Sequence, residues 1–189
     1  MTIVQEGVAA LRGCWRLIRR DPRADEDFNL TIDGFWRSFA MVLPLLALVY
    51  PLFISDHRFS LEFAPEGTAP PALELGRDYA YLIGFILVWP FVAALLAKLL
   101  GVAQNYIRYM VIYNWMTLPA TALALLPHLL HLVSGTIYPP VILAQIVFMI
   151  LLYVSWYVAK TCLQTTAPVA IAFVLAEFAL NLGVDRLIR

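Results

Sequence analysis

Long apolar runs, broken by short polar stretches, dominate the hydrophobic pattern of this chain. Five windows hold almost no charged side chains, and each has about the 20 residues that a helix needs to cross about 30 Å of hydrocarbon. They cover residues 35–54, 79–100, 106–130, 138–159 and 163–184. The pattern therefore predicts an all-α, polytopic membrane protein, in which residues 34–189 form a bundle of five transmembrane helices.

Residues 1–33 have an amphipathic pattern instead. Apolar side chains recur at steps of four and three, and arginines fill much of the remaining face, which is typical of a helix in the membrane interface. The apolar positions are Val4, Val8, Leu11, Trp15 and Ile18. The basic positions are Arg12, Arg16, Arg19 and Arg20. We predict that these arginines contact lipid head groups; packing of the helix beneath the bundle and recognition of a protein partner are the alternatives.

Two polar segments connect these elements. The linker DPRADEDFNLTIDG precedes the first window, and Asp33 is predicted to cap the helix that follows. Asn29 and Thr31 match a glycosylation acceptor, but their predicted cytoplasmic side excludes its use. The loop of residues 55–78 is rich in proline and acids, and is predicted to hold at most a short strand or a helical turn.

Composition agrees with a membrane location. Hydrophobic residues make up 62% of the chain and charged residues 14%, and the mean hydropathy is +0.79. Soluble proteins average about 45 to 50% apolar and about 25% charged residues. The thirteen basic and thirteen acidic residues balance. Since there is no basic excess, we expect no nucleic-acid partner.

Basic residues are distributed unevenly between the two sides that five spans define. One side has Arg12, Arg16, Arg19, Arg20, Arg23, Arg37, Lys98, Arg108 and Lys160. The other has Arg58, Arg77, Arg186 and Arg189, together with several acids. The excess of positive charge predicts a cytoplasmic N-terminus and a C-terminus on the outside. Cys14 and Cys162 then lie on or near the cytoplasmic side, and we expect both to be free thiols.

The stretch YMVIYNWMTLP places an amide and a proline within the third window. Asn114 is about 12 Å deep at 1.5 Å per residue, so it is expected to face another helix and bond across it. Pro119 removes a helical hydrogen bond and predicts a kink. Together with the aromatic residues Trp89, Tyr113 and Trp115, Asn114 and Pro119 are predicted to form an inward-facing seam. The seam has two interpretations: it packs the helices together, or it lines a path for a solute.

An acid lies within the last window. Glu177 is about 9 Å from the outer side, and Gln145 in the fourth window reaches a similar depth, so the two are predicted partners. Asn181, four residues after Glu177, shares its helix face. A protonated Glu177 bonded to Gln145 is the structural interpretation, and coupling to a proton or cation is the functional one.

Small side chains form rows on two of the predicted helices. The row on the last helix consists of Thr165, Pro168, Ala172, Ala176, Ala179 and Gly183, and the row on the second helix of Ala93, Ala97 and Gly101. Small residues allow close approach between helices in lipid. The rows predict either a tight crossing of these two helices or contact with a protein partner or a second copy of the chain.

The sequence does not support a metal site or a catalytic site. His57, His128 and His131 map to the outside, without a third closely spaced ligand for a metal. The sequence shows no recognisable spacing of a catalytic triad, phosphate-binding loop or dinucleotide motif. We therefore expect no metal, no cofactor and no enzymatic activity.

The order of these features resembles a known type of membrane protein. A basic amphipathic segment, GFWRSF before the first span, YIRYMVIYNW in the third and an alanine-rich fifth span are similar to uncharacterised five-span inner-membrane proteins of proteobacteria. A more distant resemblance is to the Yip-type (Ypt-interacting protein) membrane family. The resemblance implies a bacterial inner membrane.

These observations favour a non-enzymatic membrane protein that acts in assembly, as a scaffold or in membrane organisation. The alternative is a transporter or channel for a small solute, ion or proton that uses Glu177. A dry, fully packed Glu177 would favour the first function, and a water-filled cavity that reaches Glu177 would favour the second.

Overall fold

The computed structural model describes residues 2–64, 69 and 72–188 of the chain. In these residues every regular element is helical. The α-helices are α1 (Ile3–Ile18), α2 (Ile32–Ser38), α3 (Val42–Glu62), α4 (Leu75–Leu99), α5 (Tyr106–Ser134), α6 (Tyr138–Cys162) and α7 (Ala167–Ile188). Short 3-10 turns at Ala24–Asp27, Phe39–Met41 and Ala103–Asn105 join some of them.

Five helical segments of this described part are long and apolar enough to cross a membrane, which confirms the predicted fold class. They are Ile32–Glu62, Leu75–Leu99, Ala103–Ser134, Tyr138–Cys162 and Ala167–Ile188. The first continues through residues 55–62, which were predicted to be loop. The centre of that loop, residues 65–68, 70 and 71, lies outside the described residues.

The start of the first span corrects a predicted cap. Thr31, and not Asp33, caps α2, because the Thr31 hydroxyl accepts a hydrogen bond from the Gly34 amide at 3.1 Å. Asp33 lies within the first turn. A Cβ atom at position 34 would come within 1.8 Å of the Asn29 carbonyl oxygen, so the entry to α2 requires glycine.

Helix α5 lies at the centre of the bundle, in contact with α1, α2, α3 and α6. Helix α4 packs chiefly against α7 and only loosely against α3 and α5. Because short connections make consecutive spans antiparallel, the bundle has two ends. We call the end that carries α1 the α1 end, and the opposite end, where α3 and α5 finish and α4 begins, the far end.

Helix α1 has three faces. A capping box formed by Thr2 and Gln5 starts the helix. The face that packs against the protein consists of Glu6, Gly7, Ala10, Gly13, Cys14 and Leu17. The apolar stripe of Val4, Val8, Leu11, Trp15 and Ile18 is exposed. The arginines occupy the third face. An exposed apolar stripe on one face and protein contacts on another form the pattern expected of an interfacial helix.

Ion pairs attach the N-terminal segment to the bundle. Arg108 of α5 bonds to both oxygens of Asp25 at 2.9 and 3.0 Å, and its Nη1 donates to the carbonyls of Thr161 and Cys162 at 2.7 Å. One guanidinium group therefore joins the linker, α5 and the end of α6.

Candidate functional site

Glu177 is held by two hydroxyl groups near the middle of the bundle. Tyr113 Oη of α5 donates to Glu177 Oε1 at 2.5 Å, and Ser155 Oγ of α6 donates to Oε2 at 2.7 Å. Both carboxyl oxygens thus accept a hydrogen bond, a pattern that suits an ionised carboxylate. These bonds join α5, α6 and α7 at one point.

The predicted pairing of Glu177 with Gln145 is wrong. Gln145 is exposed and lines grooves with His128 and with apolar residues of α6 instead. Ser155, ten residues further along the same helix, is the α6 residue that reaches Glu177. The prediction of equal depth was wrong: ten helical residues separate Gln145 from Ser155, so Gln145 lies about 15 Å nearer the far end, in a groove with His128 and His131.

A cavity of about 400 Å³ adjoins the Glu177 carboxyl group. Helices α3, α4, α5, α6 and α7 all contribute to its wall. Its polar lining consists of Tyr81, Tyr113, Asn114, Thr117, Thr121, Ser155, Glu177 and Asn181. The remainder is mostly apolar, including Leu82, Phe85 and Ile86 of α4. From Asn114 to Ala124, the wall that α5 provides is about 15 Å long at 1.5 Å per residue.

Aromatic side chains close the cavity on the side of the α1 end. Trp89 and Tyr109 are 1% exposed, and Phe173 is 0% exposed. The ring centroids of Trp89 and Tyr113 are 5.8 Å apart, and those of Tyr109 and Phe173 are 5.3 Å apart. Tyr106 adds a bond from its hydroxyl to the Pro90 carbonyl at 2.9 Å. This packed layer separates the polar cavity from the α1 end.

The remaining residues of the predicted seam divide between the cavity and the core. Asn114 donates from Nδ2 to Ser38 Oγ at 2.8 Å, an inter-helix bond of the kind that its depth predicted. Asn181 lines the cavity with Glu177. Trp115, in contrast, points toward α1, where a Cβ atom on Gly7 would lie 3.2 Å from its ring. Trp115 therefore anchors α1 and does not belong to the cavity wall.

A second polar cluster, which the sequence analysis did not predict, ties α3 to α5 at the far end. Ser55 Oγ lies 3.0 Å from His131 Nδ1, and His131 Nε2 lies 3.2 Å from Glu62 Oε1. His128 Nδ1 lies 3.4 Å from Asp56 Oδ1. Among the described residues, no three His, Cys, Asp or Glu side chains are grouped as metal ligands. With Ser55 2% and His131 3% exposed, the imidazole serves as an inter-helix connector.

The four arginines predicted to contact lipid head groups have different surroundings. Arg12 and Arg16 both bond to Asp27, at 2.8 and 2.7 Å. Arg19 lies over the Trp15 ring, and Arg20 Nη2 donates to Tyr153 Oη at 3.1 Å. The charges of Arg12 and Arg16 are thus partly neutralised within the chain.

Comparison of the chain with family models, with curated proteins and with solved structures finds no match.

Proposed function

We propose that this membrane protein is a small-solute transporter that binds a cationic solute, or a coupling cation or proton, at Glu177. The observation that supports this proposal best is the contact between Glu177 and a cavity of about 400 Å³ within the bundle. Ligand sites for small molecules have volumes of about 300 to 1,000 Å³ and a mostly apolar lining with a few polar groups.

The partners of Glu177 support a cationic ligand. Tyr113 and Ser155 orient the carboxylate, but hydroxyl groups carry no positive charge. In the described part of the chain, no Lys, Arg or His side chain lies within ion-pair distance of Glu177. An acid at membrane depth is costly unless it is neutralised, so a proton or a cation from outside the chain is the expected partner.

The packing of the bundle supports movement of a solute. The aromatic layer of Trp89, Tyr109 and Phe173 closes one side of the cavity. Helices α4 and α7 pack on each other, and α4 contacts α3 and α5 only loosely. Helix α7 also packs on α6, so α4 is the spanning helix with the fewest ties to the rest of the bundle. Displacement of α4 against α3 and α5 would open and close the cavity on alternate sides, as transport requires.

The proposed location is the inner membrane of a bacterium, with the α1 end in the cytoplasm and the C-terminus in the periplasm. The concentration of arginines in α1 and its linker supports this orientation. The cavity would then be closed on its cytoplasmic side by the aromatic layer.

An assembly or scaffold function remains a prediction, and we rank it second. It relied on the packed seam and the small-residue rows, together with the lack of catalytic groups in the sequence. Ala93 and Ala97 are 0% exposed within this chain, on a helix that packs against α7, which favours an internal crossing for the α4 row.

Uptake by proteoliposomes tests the proposal. Methylammonium and tetraethylammonium serve as probe cations, and an entrapped pH-sensitive dye reports proton flux after a pH step. The wild-type protein is expected to exceed protein-free liposomes, and Glu177→Gln to lower the rate at least tenfold. Glu74→Gln, which removes an exposed carboxylate at the start of α4, is the matched control and is expected to retain the wild-type rate. Equal rates for wild type and Glu177→Gln, or no flux above the protein-free level, would overturn the proposal.

A further inference from the structure

A groove of about 500 Å³ lies at the α1 end, between the end of α1 and the last turns of α6. It is independent of the cavity around Glu177. Its lining residues are Arg20, Tyr153, Trp156, Tyr157, Lys160, Thr161, Gln164 and Thr165. The groove thus combines two basic side chains, three aromatic rings and several neutral hydrogen-bonding groups.

The two cations in this groove are positioned by aromatic residues. Arg20 bonds to the Tyr153 hydroxyl, and its guanidinium carbon lies 5.8 Å from the Tyr157 ring centroid. Lys160 Nζ lies 5.0 Å from the Trp156 ring centroid. Tyr157 is itself fixed by a bond from its hydroxyl to the Leu17 carbonyl at 3.2 Å. Cation–π contacts and this bond orient the positive charges and leave their remaining N–H donors for a ligand.

No carboxylate of the described residues forms an ion pair with either cation. Several neighbouring basic residues do form ion pairs: Arg12 and Arg16 with Asp27, Arg23 with Asp21, and Arg108 of α5 with Asp25. Asp21, Asp25 and Asp27 are thus engaged with other arginines, and the groove keeps its positive charge. An anion is the complementary ligand.

Two helices end at the same groove, each with a residue in the left-handed conformation. Within the described chain, the non-glycine residues with positive φ are Arg20, at 60°, and Gln164, at 51°, and both line the groove. These residues follow the C-caps of α1 and α6, where a left-handed residue commonly ends a helix: the Asp21 amide donates to the Arg16 carbonyl, and the Thr165 amide donates to the Lys160 carbonyl. The two helix ends thus place Arg20 and Gln164 in the groove.

The groove continues into an apolar surface. Tyr153 also lines an adjoining shallow groove on the outer face of α6, together with Ile142, Gln145, Ile146, Phe148, Met149 and Ile150. Met149 is 65% and Ile146 is 53% exposed, in a helix that crosses the membrane. A ligand that occupies both grooves needs an anionic head at the membrane surface and a hydrocarbon tail inside the membrane.

We propose that this groove is a binding site for an anionic phospholipid. Arg20 and Lys160 bind the phosphate group, Thr161 and Gln164 offer hydrogen bonds to the polar head, and one acyl chain lies along Ile146, Met149 and Ile150 of α6. Basic grooves between helices at the head-group level, with Tyr and Trp at the interface, have the chemistry that recognises such lipids.

Lipid retention by the purified full-length protein tests this site. The protein in a mild neutral detergent is titrated with phosphatidylglycerol or phosphatidylcholine, and bound lipid is counted by native mass spectrometry. We expect wild-type protein to prefer phosphatidylglycerol at least tenfold. Arg20→Gln and Lys160→Gln should each weaken that binding about fivefold, and the double variant about 30-fold, since each basic residue contributes independently near a charged surface. Arg19→Gln, one residue before Arg20 but outside the groove, is the matched control and should bind as wild type does.

Two further measurements distinguish a bound phospholipid from a free anion. Lys160→Glu keeps an exposed polar residue, so it is expected to fold, and it should abolish the preference for phosphatidylglycerol. Inorganic phosphate at millimolar concentration should not displace the lipid, because it lacks the hydrocarbon tail. Displacement by phosphate alone would make the groove a site for a free anion and overturn the proposal. Unchanged phosphatidylglycerol binding in the folded double variant would overturn it as well.

Discussion

Two carboxylates, Glu6 and Glu177, lie among packed helices but differ in their partners. Glu6 on the inner face of α1 is 2% exposed and pairs with Arg37 Nε at 2.5 Å. Glu177 adjoins a cavity, and its hydrogen-bond partners are the hydroxyls of Tyr113 and Ser155. The first charge is neutralised within the chain and holds α1 against α2. The second is oriented by two hydroxyls, with no cationic side chain of the described residues in an ion pair with it, and is the acid that we propose binds a ligand. The comparison distinguishes a structural acid from a candidate binding acid.

The largest loss of stability is expected when the Glu6 carboxylate loses Arg37, its ion-pair partner. Arg37→Met leaves the Glu6 carboxylate buried without its charge partner, which typically costs about 3 to 5 kcal/mol. Thermal unfolding in detergent should show a large loss of stability. Adding Glu6→Gln to Arg37→Met removes the orphaned charge and should restore part of that loss. If Arg37→Met unfolds as the wild type does, the Glu6 pair does not stabilise the α1 end.

A smaller loss is expected from Arg108→Lys. Lysine keeps the charge but cannot reproduce the two bonds to Asp25 together with those to the carbonyls of Thr161 and Cys162. We expect a loss of about 2 to 3 kcal/mol and easier proteolysis of the N-terminal segment. Arg77→Lys, in the exposed pair with Glu74, is the control and should change stability by less than about 1 kcal/mol. Equal effects of the two substitutions would contradict the anchoring function of Arg108.

The same pair of acids shows what could be predicted from the sequence. Hydrophobic length is a local property, so the five spans and the amphipathic α1 followed from composition and periodicity. Counting residues placed Glu177 within the last span, where it lies at the middle of α7. Its partners did not, because they depend on which helices are neighbours and on the rotation of each about its axis. An isolated Ser155 within the apolar run LLYVSWYV was the available signal for the hydroxyl that reaches Glu177.

The far end shows a second limit. Ser55 and Glu62 were assigned to a loop, whereas His131 was placed just beyond a span, so their cluster was not predicted. Helix α3 continues to Glu62, and the spacing of seven residues then puts both side chains on one face, toward His131. Helix length beyond the apolar window depends on such tertiary bonds, which local hydropathy does not report.

Glu177→Gln is expected to change stability by less than about 1 kcal/mol, in contrast to Arg37→Met. In this variant the amide oxygen still accepts a hydrogen bond from one hydroxyl. The hydrogen bond from the second hydroxyl is lost, but removal of a charge that has no cationic partner offsets this loss. Thermal unfolding without added cations measures the effect. Ser155→Ala, which removes one donor and keeps the charge, is the comparison and should destabilise by about 0.5 to 1.5 kcal/mol. A loss of several kcal/mol in Glu177→Gln would place Glu177 with Glu6, among the structural acids.

The smallest change in stability is expected for a cysteine introduced at the cavity wall. Labelling with a maleimide compares the accessibility of that cysteine with the accessibility of native Cys14. Cys14 lies on the inner face of α1, is 1% exposed, and burial raises the pKa of its thiol to about 12. At pH 7 this thiol is therefore almost entirely protonated, so a water-soluble maleimide should not react with it in the folded protein. Thr121→Cys introduces a thiol at the cavity wall, where the reagent should react within minutes if water enters. Unfolding in dodecyl sulfate should make all cysteines react, which controls for the reagent.

Rapid labelling of native Cys14 would show that the α1 interface opens. No labelling of Thr121→Cys in the folded protein would show that the cavity is dry, which argues against a solute path at Glu177.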